Sequence, residues 1–493
     1  MGATMHTASI VVLVSLALSV TSCRRLRDAP PRAAVATHPA GSRGGWQTAT
    51  CAVPRGATHT VVVCADRAVL PADGRLVGFV HGVTYSPTRD YAATDALIDG
   101  LRPYTWRLAG YGEVARYVAR GRFVERFGTR VVVNVQDLFN QVYGRPITVS
   151  TRCAEGARGC FTSFDALRAT WGAFLPRALD RVAAAGIAVA YYDLLSEPEL
   201  GAFLDASGRT IPGSQLGALF VDAFRAVKRR QPDARIVGPS TAIWSPAMLR
   251  AVVDIAATQG LSLDALSWHE LGAPQGNEVS VMPEEVPAHV EATRAIVREG
   301  MHCGERCPEV HINEYQLERD YYVPGQAAGW LFYLSMAKVD LASRACWDAP
   351  DSCFRSFNGL LDASDRRPTN LYHVYRSYAE MTGHLVEAAS TDTRDVALAA
   401  FDAPGARLRI LAGRYGHDGD VVDITLRVHV PALAGRVLRV RTWAIANDGG
   451  RPSILDAPFA LGDDEVRVAS GELVLPLRRF VDGDVRVIDV QPR

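Results

Sequence analysis

The chain has 493 residues, 48% hydrophobic and 22% charged, an ordinary globular composition long enough for one large domain and a smaller one. Lys plus Arg and Asp plus Glu each total 53, so the formal net charge is zero. This argues against a nucleic-acid partner, because neutralising a phosphate backbone takes a clustered excess of Lys and Arg.

The run Ile10 to Val20 (IVVLVSLALSV) is apolar but shorter than the about 20 residues a membrane-spanning helix needs. With small residues following, it reads as the core of a signal peptide over residues 1–23. Val20-Thr21-Ser22-Cys23 resembles a bacterial lipobox. That resemblance implies lipidation of Cys23 and a membrane anchor on a periplasmic or cell-surface protein. No Lys or Arg precedes the core, and a plain secretory signal is the alternative reading. Residues 24–46, rich in Ala, Pro, Arg and Gly, hold too few large apolar side chains to offset their ordering entropy and read as a tether.

The remaining eight cysteines fall into neighbouring couples: Cys51 with Cys64, Cys153 with Cys160, Cys303 with Cys307, and Cys346 with Cys353. Local even pairing suggests four short-loop disulfides formed in an oxidising compartment. Zinc is the rival, but no couple has a His or Cys partner set at finger-like spacing. No metal or cofactor is expected.

Residues 47–74 are strand-like, and from 75 to 384 short β-rich runs alternate with amphipathic stretches. Val131–Val135 is a predicted strand, Phe164–Ala185 a helix stopped by Gly186, and Ile187–Leu195 the next strand. Then come a helix over Ser214–Arg230 and strands at Arg235–Val237, Ala265–Trp268 and Val310–Ile312. Such alternation predicts a parallel sheet, and about eight units over roughly 300 residues fit a (β/α)8 TIM barrel. Beyond His384 the helical period disappears. Runs such as Val421–Val430 and Val437–Ala444, split by Gly, Asp and Pro, predict a β-sandwich over 385–493, to which residues 47–74 would add strands.

Two predicted strand ends carry a glutamate: Glu197 closes Tyr192-Asp193-Leu194-Leu195-Ser196-Glu197, and Glu314 follows Val310-His311-Ile312-Asn313. Positions 197 and 314 lie 117 residues apart. At roughly 30–40 residues per unit they stand about three strands apart, facing each other across a barrel mouth. Cleaving a glycosidic bond with retention needs two such acids about 5–5.5 Å apart. From spacing alone a solvated loop residue or a helix-capping neighbour is the commoner explanation.

The segment Tyr192 to Leu200 (YDLLSEPEL) resembles the fourth-strand signature of the clan A glycoside hydrolases, which usually ends Trp-Asn-Glu-Pro. Within the clan the chain is most similar to the family 39 group of β-xylosidases, α-L-iduronidases and bacterial exopolysaccharide hydrolases. Val237-Gly238-Pro239, Asp264 to His269 (DALSWH), Ile312-Asn313-Glu314-Tyr315 and Phe357 to Asp362 (FNGLLD) resemble its fifth to eighth strands in order. The resemblance implies an O-glycosidase acting on a polysaccharide or oligosaccharide, with Glu197 as acid/base and Glu314 as nucleophile. Glu197 would then stay protonated through burial and the charge of Glu314, while Tyr315, His269 or an arginine keeps Glu314 ionised. Arg107 resembles the clan's second-strand arginine. Strand parity puts Asp193 on the same face as Glu197 and predicts an Arg107–Asp193 pair.

The sequence also departs from the pattern. Ser196 replaces the asparagine that normally meets the sugar 2-hydroxyl, Leu271 stands where a tyrosine is usual, and Ala109 replaces a histidine. Trp244, Trp268 and Trp347 lie near strand ends, where aromatic faces suit sugar stacking as well as core packing. His81 and Tyr85 follow the first barrel strand, and Tyr321-Tyr322 the loop after Glu314. A noncatalytic carbohydrate-binding lipoprotein is the alternative that Ser196 favours.

Overall fold

Strand β1 (Thr60–Pro71) enters a sheet that is completed only near the C-terminus. The chain then lays down β2 (Gly78–Val80), β3 (Thr105–Ala109), β4 (Arg130–Asn134), β5 (Ile147–Val149), β6 (Cys160–Phe161), β7 (Val189–Asp193) and β8 (Phe203–Leu204). It continues with β9 (Arg235–Val237), β10 (Pro239–Thr241), β11 (Ala265–Glu270), β12 (Glu309–Tyr315) and β13 (Leu341–Arg344). This is a computed structural model describing residues 51–493, apart from 83–84, 155, 272–280, 302, 304–306, 317–320, 346–356, 358, 363 and 365.

Nine of these segments pair in the order β10-β11-β12-β13-β2-β3-β4-β7-β9, every pairing parallel. Only Gly238 separates β9 from β10, so the chain itself joins the two ends and the ring has eight staves, a TIM-like barrel. Between strands run α1 (Ala92–Leu101), α2 (Gly110–Ala119), α3 (Val135–Tyr143), α4 (Phe164–Ala184), α5 (Gly213–Arg230), α6 (Pro246–Thr258), α7 (Val286–Met301), α8 (Pro324–Met336) and α9 (Asn370–Ala379). Helix α4 begins where the Ser163 hydroxyl caps the Ala166 N–H and stops before Gly186, whose φ of 68° suits glycine. Short β5, β6 and β8 form a separate parallel sheet outside the ring.

The C-terminal β-domain comprises β14 (His384–Ser390), β15 (Asp395–Asp402), β16 (Arg407–Arg414), β17 (Val421–His429), β18 (Val437–Ile445), β19 (Phe459–Arg467), β20 (Glu472–Val481) and β21 (Val485–Pro492). With β1 between β14 and β17 they make a nine-stranded sheet, antiparallel except where β1 meets β17. Every residue of α8 is buried, as expected of a helix apolar on all sides, because barrel and β-domain cover it from opposite directions. Its glycines permit that approach: a Cβ on Gly325 would meet the Arg414 carbonyl oxygen at 1.9 Å.

Three expected cysteine couples are disulfides: Cys51–Cys64, Cys153–Cys160 and Cys303–Cys307. The expected fourth bridge is not among them. Cys346 and Cys353 both fall in the segment 346–356, outside the described residues, so the pairing of Cys353 with Cys346 stays an expectation from their spacing. Cys23 and Trp347 also lie outside the described residues. Among the described residues no helix is long and apolar enough to cross a membrane.

Candidate active site

Alternation along the staves sorts their side chains into layers. Val132, Tyr191, Val237, Ala265 and Leu341 fill the lower barrel interior with apolar volume. Above them the interior turns polar, with Arg107, Asp193, Ser240, Ser267 and Asn313 all buried and mutually bonded. At the mouth, where TIM barrels place their chemistry, stand Ser196, Glu197, His269 and Glu314.

Arg107 organises the set. Its Nε donates to Asp193 Oδ2 at 2.7 Å, its Nη1 to Glu314 Oε1, and its Nη2 to Ser196 Oγ at 2.9 Å. Burial opposes its charge, but Asp193 and Glu314 outweigh that and keep the guanidinium protonated. Asp193 also accepts from Ser240 Oγ at 2.7 Å and Asn313 Nδ2 at 3.3 Å.

The two glutamates meet. One oxygen of Glu197, one nitrogen of His269 and one oxygen of Glu314 lie within 4.8 Å of one another. His269 Nδ1 stands 3.3 Å from Glu197 Oε1 and 3.7 Å from Glu314 Oε2, and Arg145 Nη2 lies 3.7 Å from Glu197 Oε2. The expectation that Glu197 rests protonated is corrected by these neighbours. Burial pushes its carboxyl up, but the His269 hydrogen bond and the charges of His269, Arg145 and Arg107 prevail and hold it at about 2. Burial pushes His269 down, while Glu314 and Glu197 prevail and raise it, so the imidazole holds a proton more tightly than an ordinary histidine. Three ligand atoms this close could also hold a cation. The two guanidinium groups already facing the carboxylates oppose that use electrostatically.

Backbone geometry supports the same mouth. Glu197 (φ 49°), Ser240 (φ 49°), His81 (φ 61°) and Gln316 (φ 119°) adopt left-handed conformations rare for residues with a Cβ, and such outliers cluster at functional sites. Glu197 opens a one-turn π-helix, Pro198–Ala202, and its N–H donates to the Ser240 carbonyl at 2.8 Å.

A β-bulge decides what faces the pocket. The β11–β12 register runs Trp268 opposite Ile312 and then His269 opposite Glu314, so Asn313 is the extra residue. Asn313 and Glu314, consecutive in sequence, therefore both turn inward, and Tyr315 turns outward. The Tyr315 hydroxyl lies 3.1 Å from that of Tyr375 in α9, which corrects its expected role beside Glu314. Trp268 likewise faces the helix layer, wholly buried, with Nε1 on Glu270 at 2.6 Å, and does not line the mouth. Trp244 stacks on His289 of α7 at 4.3 Å and bonds Thr293. His81 stays at the rim, with Nδ1 3.3 Å from Glu113 Oε2 and its charge within reach of Glu314. Ser196 is present, but its hydroxyl is occupied by Arg107.

Several site residues have no motif of their own. Gln136 clamps the Ser196 peptide from both sides, its Nε2 to the carbonyl and its Oε1 from the N–H at 2.9 Å. Glu199 accepts from the Ala242 N–H, and burial pushes its carboxyl up to about 7. Asp137 and Arg145 follow β4 and reach the mouth. An amphipathic segment directly after a strand end was their one available signal.

A TIM-like barrel followed by an antiparallel β-domain is the architecture shared with solved clan A glycoside hydrolases. No family model matches the chain, and no curated protein matches it. Solved structures do. The protein N2152 of Neocallimastix frontalis is 17% identical over 88% of this chain and 99% of that one, with a TM-score of 0.69. A GH39 enzyme of Xanthomonas axonopodis pv. citri is 17% identical over 90% and 100%, with a TM-score of 0.57. A monomeric β-xylosidase of Caulobacter crescentus CB15 is 16% identical over 88% and 100%, with a TM-score of 0.59. At such identities the likeness is one of fold.

Proposed function

We propose that this protein is a retaining glycoside hydrolase, similar to the family 39 group, with Glu314 as nucleophile and Glu197 as acid/base. The observation that carries this reading is the approach of the two acids to within 4.8 Å at the barrel mouth. That approach is nearer to the about 5–5.5 Å of a pair retaining configuration than to the about 6.5–9.5 Å of an inverting pair. The likeness of fold to a GH39 enzyme and a β-xylosidase supports the same class.

Glu314 Oε1 is held by Arg107, which aims the opposite oxygen at an anomeric carbon above the polar layer. Bond formation from Glu314 to that carbon accompanies breakage of the glycosidic C–O bond, and Glu197 gives a proton to the departing oxygen. Because Glu197 is ionised at rest, this proton comes across the 3.3 Å contact from His269. Water then attacks the glycosyl ester, its C–O bond to Glu314 breaks and releases that carboxylate, and Glu197 takes the proton of the water and passes it back to His269 across the same contact.

Trapping tests the assignment. Incubation with a library of activated 2-fluoro-glycosides, followed by peptide mass mapping, should label Glu314. Glu197→Gln and Glu314→Gln should each lower kcat at least about 100-fold with folding intact. A label elsewhere refutes the assignment. Wild type that binds a broad glycan panel without turnover establishes the second reading, a noncatalytic carbohydrate-binding protein, which the loss of asparagine at position 196 favours.

We further propose export as a lipoprotein attached through Cys23, with the barrel over residues 75–384 as the catalytic domain. Metabolic labelling with an alkyne fatty acid should mark the wild type and spare Cys23→Ser. Export also exposes Cys346 and Cys353 to an oxidising compartment, and peptide mapping without reduction should find them joined.

A further inference from the structure

Hydrogen bonds to the hydroxyl beside the anomeric carbon strengthen as the transition state forms, so a retaining site gains from a fixed acceptor there. Ser196 is poorly placed to serve. It is 7% exposed, its hydroxyl receives Arg107 Nη2 at 2.9 Å, and Gln136 holds both sides of its peptide.

A better acceptor stands on the adjoining stave. Asp137 lies in the first turn of α3, directly after β4, and β4 pairs with both β3 and β7. Its neighbour Gln136 holds Ser196, the residue before Glu197, and the charges of Arg107, Arg145, His81 and Glu197 all act on the Asp137 carboxyl group. Asn134 fixes it: Asn134 Nδ2 donates to Asp137 Oδ2 at 2.9 Å, and the Asp137 N–H donates to Asn134 Oδ1 at 3.0 Å. That N-cap contact explains one oxygen only. Among the described residues no side-chain or backbone donor is bonded to Oδ1, and Asp137 is half-buried.

We propose that Asp137 determines specificity at this site, accepting at Oδ1 a hydrogen bond from the sugar hydroxyl next to the anomeric carbon. The proposal rests on the glycosidase reading above. It selects sugars whose hydroxyl at that position is free, and rejects 2-O-sulfated or 2-O-acylated residues, which offer no donor and place bulk or charge against a carboxylate.

The test uses whichever of a panel of 4-nitrophenyl α- and β-glycosides the wild type hydrolyses, beside its 2-deoxy counterpart. Asp137→Ala should lower kcat/KM on the parent by at least about 100-fold and on the 2-deoxy glycoside by less than about threefold. Asp137→Asn, which keeps an acceptor oxygen, should fall between. A purely structural capping role would slow both substrates alike, and equal losses overturn the proposal. Should Asp137→Ala fail to fold, Asp137→Asn decides: a loss confined to the parent supports the assignment, and no loss or equal losses end it. Absence of wild-type turnover across the panel removes the glycosidase reading, and this proposal with it. Turnover by wild type with Asp137→Ala unaffected removes this proposal alone.

Discussion

Arg107 and Asp193 form an ion pair at 2.7 Å with side-chain exposures of 2% and 0%. The guanidinium is shared further with Glu314 and Ser196, so one cation ties together the ends of β3, β7 and β12. In a dry interior such a group is costly to remove, because its partners keep their buried charge.

Arg107→Met should therefore destabilise the fold by about 3–5 kcal/mol, measured by urea denaturation, while Asp193→Asn in the same chain recovers part of the loss. A loss under about 1 kcal/mol would mean that water reaches the pair.

His269 makes stability depend on pH. Its proton is held more tightly in the fold than the ordinary value of 6.5, against burial, by Glu314 and Glu197. A group raised on folding stabilises fully below its unfolded value, and that contribution fades as pH climbs through the folded one. The stability difference between wild type and His269→Gln should be largest below pH 6.5 and shrink above it. Glu197, lowered from 4.5 to about 2, contributes in the opposite sense, fully above 4.5 and progressively less as pH falls. Denaturation curves from about pH 5.5 to about pH 8.5 check the histidine, and a difference growing with pH contradicts it.

Gly325→Ala probes the joint between barrel and β-domain. The added methyl would meet backbone on both sides, the Arg414 carbonyl oxygen at 1.9 Å and the Gly483 carbonyl carbon at 3.0 Å. Neither can rotate away, so a loss of about 1–3 kcal/mol or more is expected in melting experiments. Gly172→Ala, with open space around the site, is the control.

The Cys51–Cys64 bridge closes a loop with a sequence separation of 13 and ties the chain to β1. Replacing both cysteines with serine should cost roughly 3 kcal/mol by the loop-closure argument. Unchanged melting would show that β1 pairing alone holds the segment.

The sequence by itself determined the barrel, the β-domain and the three described disulfides, which follow from alternation and spacing, and the Arg107–Asp193 pair, which followed from the resemblance of Arg107 to the clan's second-strand arginine together with strand parity. Strand period sets which face a side chain takes, and strand–helix alternation sets a parallel ring. Only the tertiary structure decided the orientation of Tyr315 and Trp268, since the bulge at Asn313 breaks the two-residue period on which parity depends. It alone decided the resting charge of Glu197, through His269 from another stave and Arg145 from a loop. It alone brought Gln136 and Asp137 to the mouth. Protonation and recognition depend on distances between residues far apart in the chain, and the covalent order of residues carries no record of those distances.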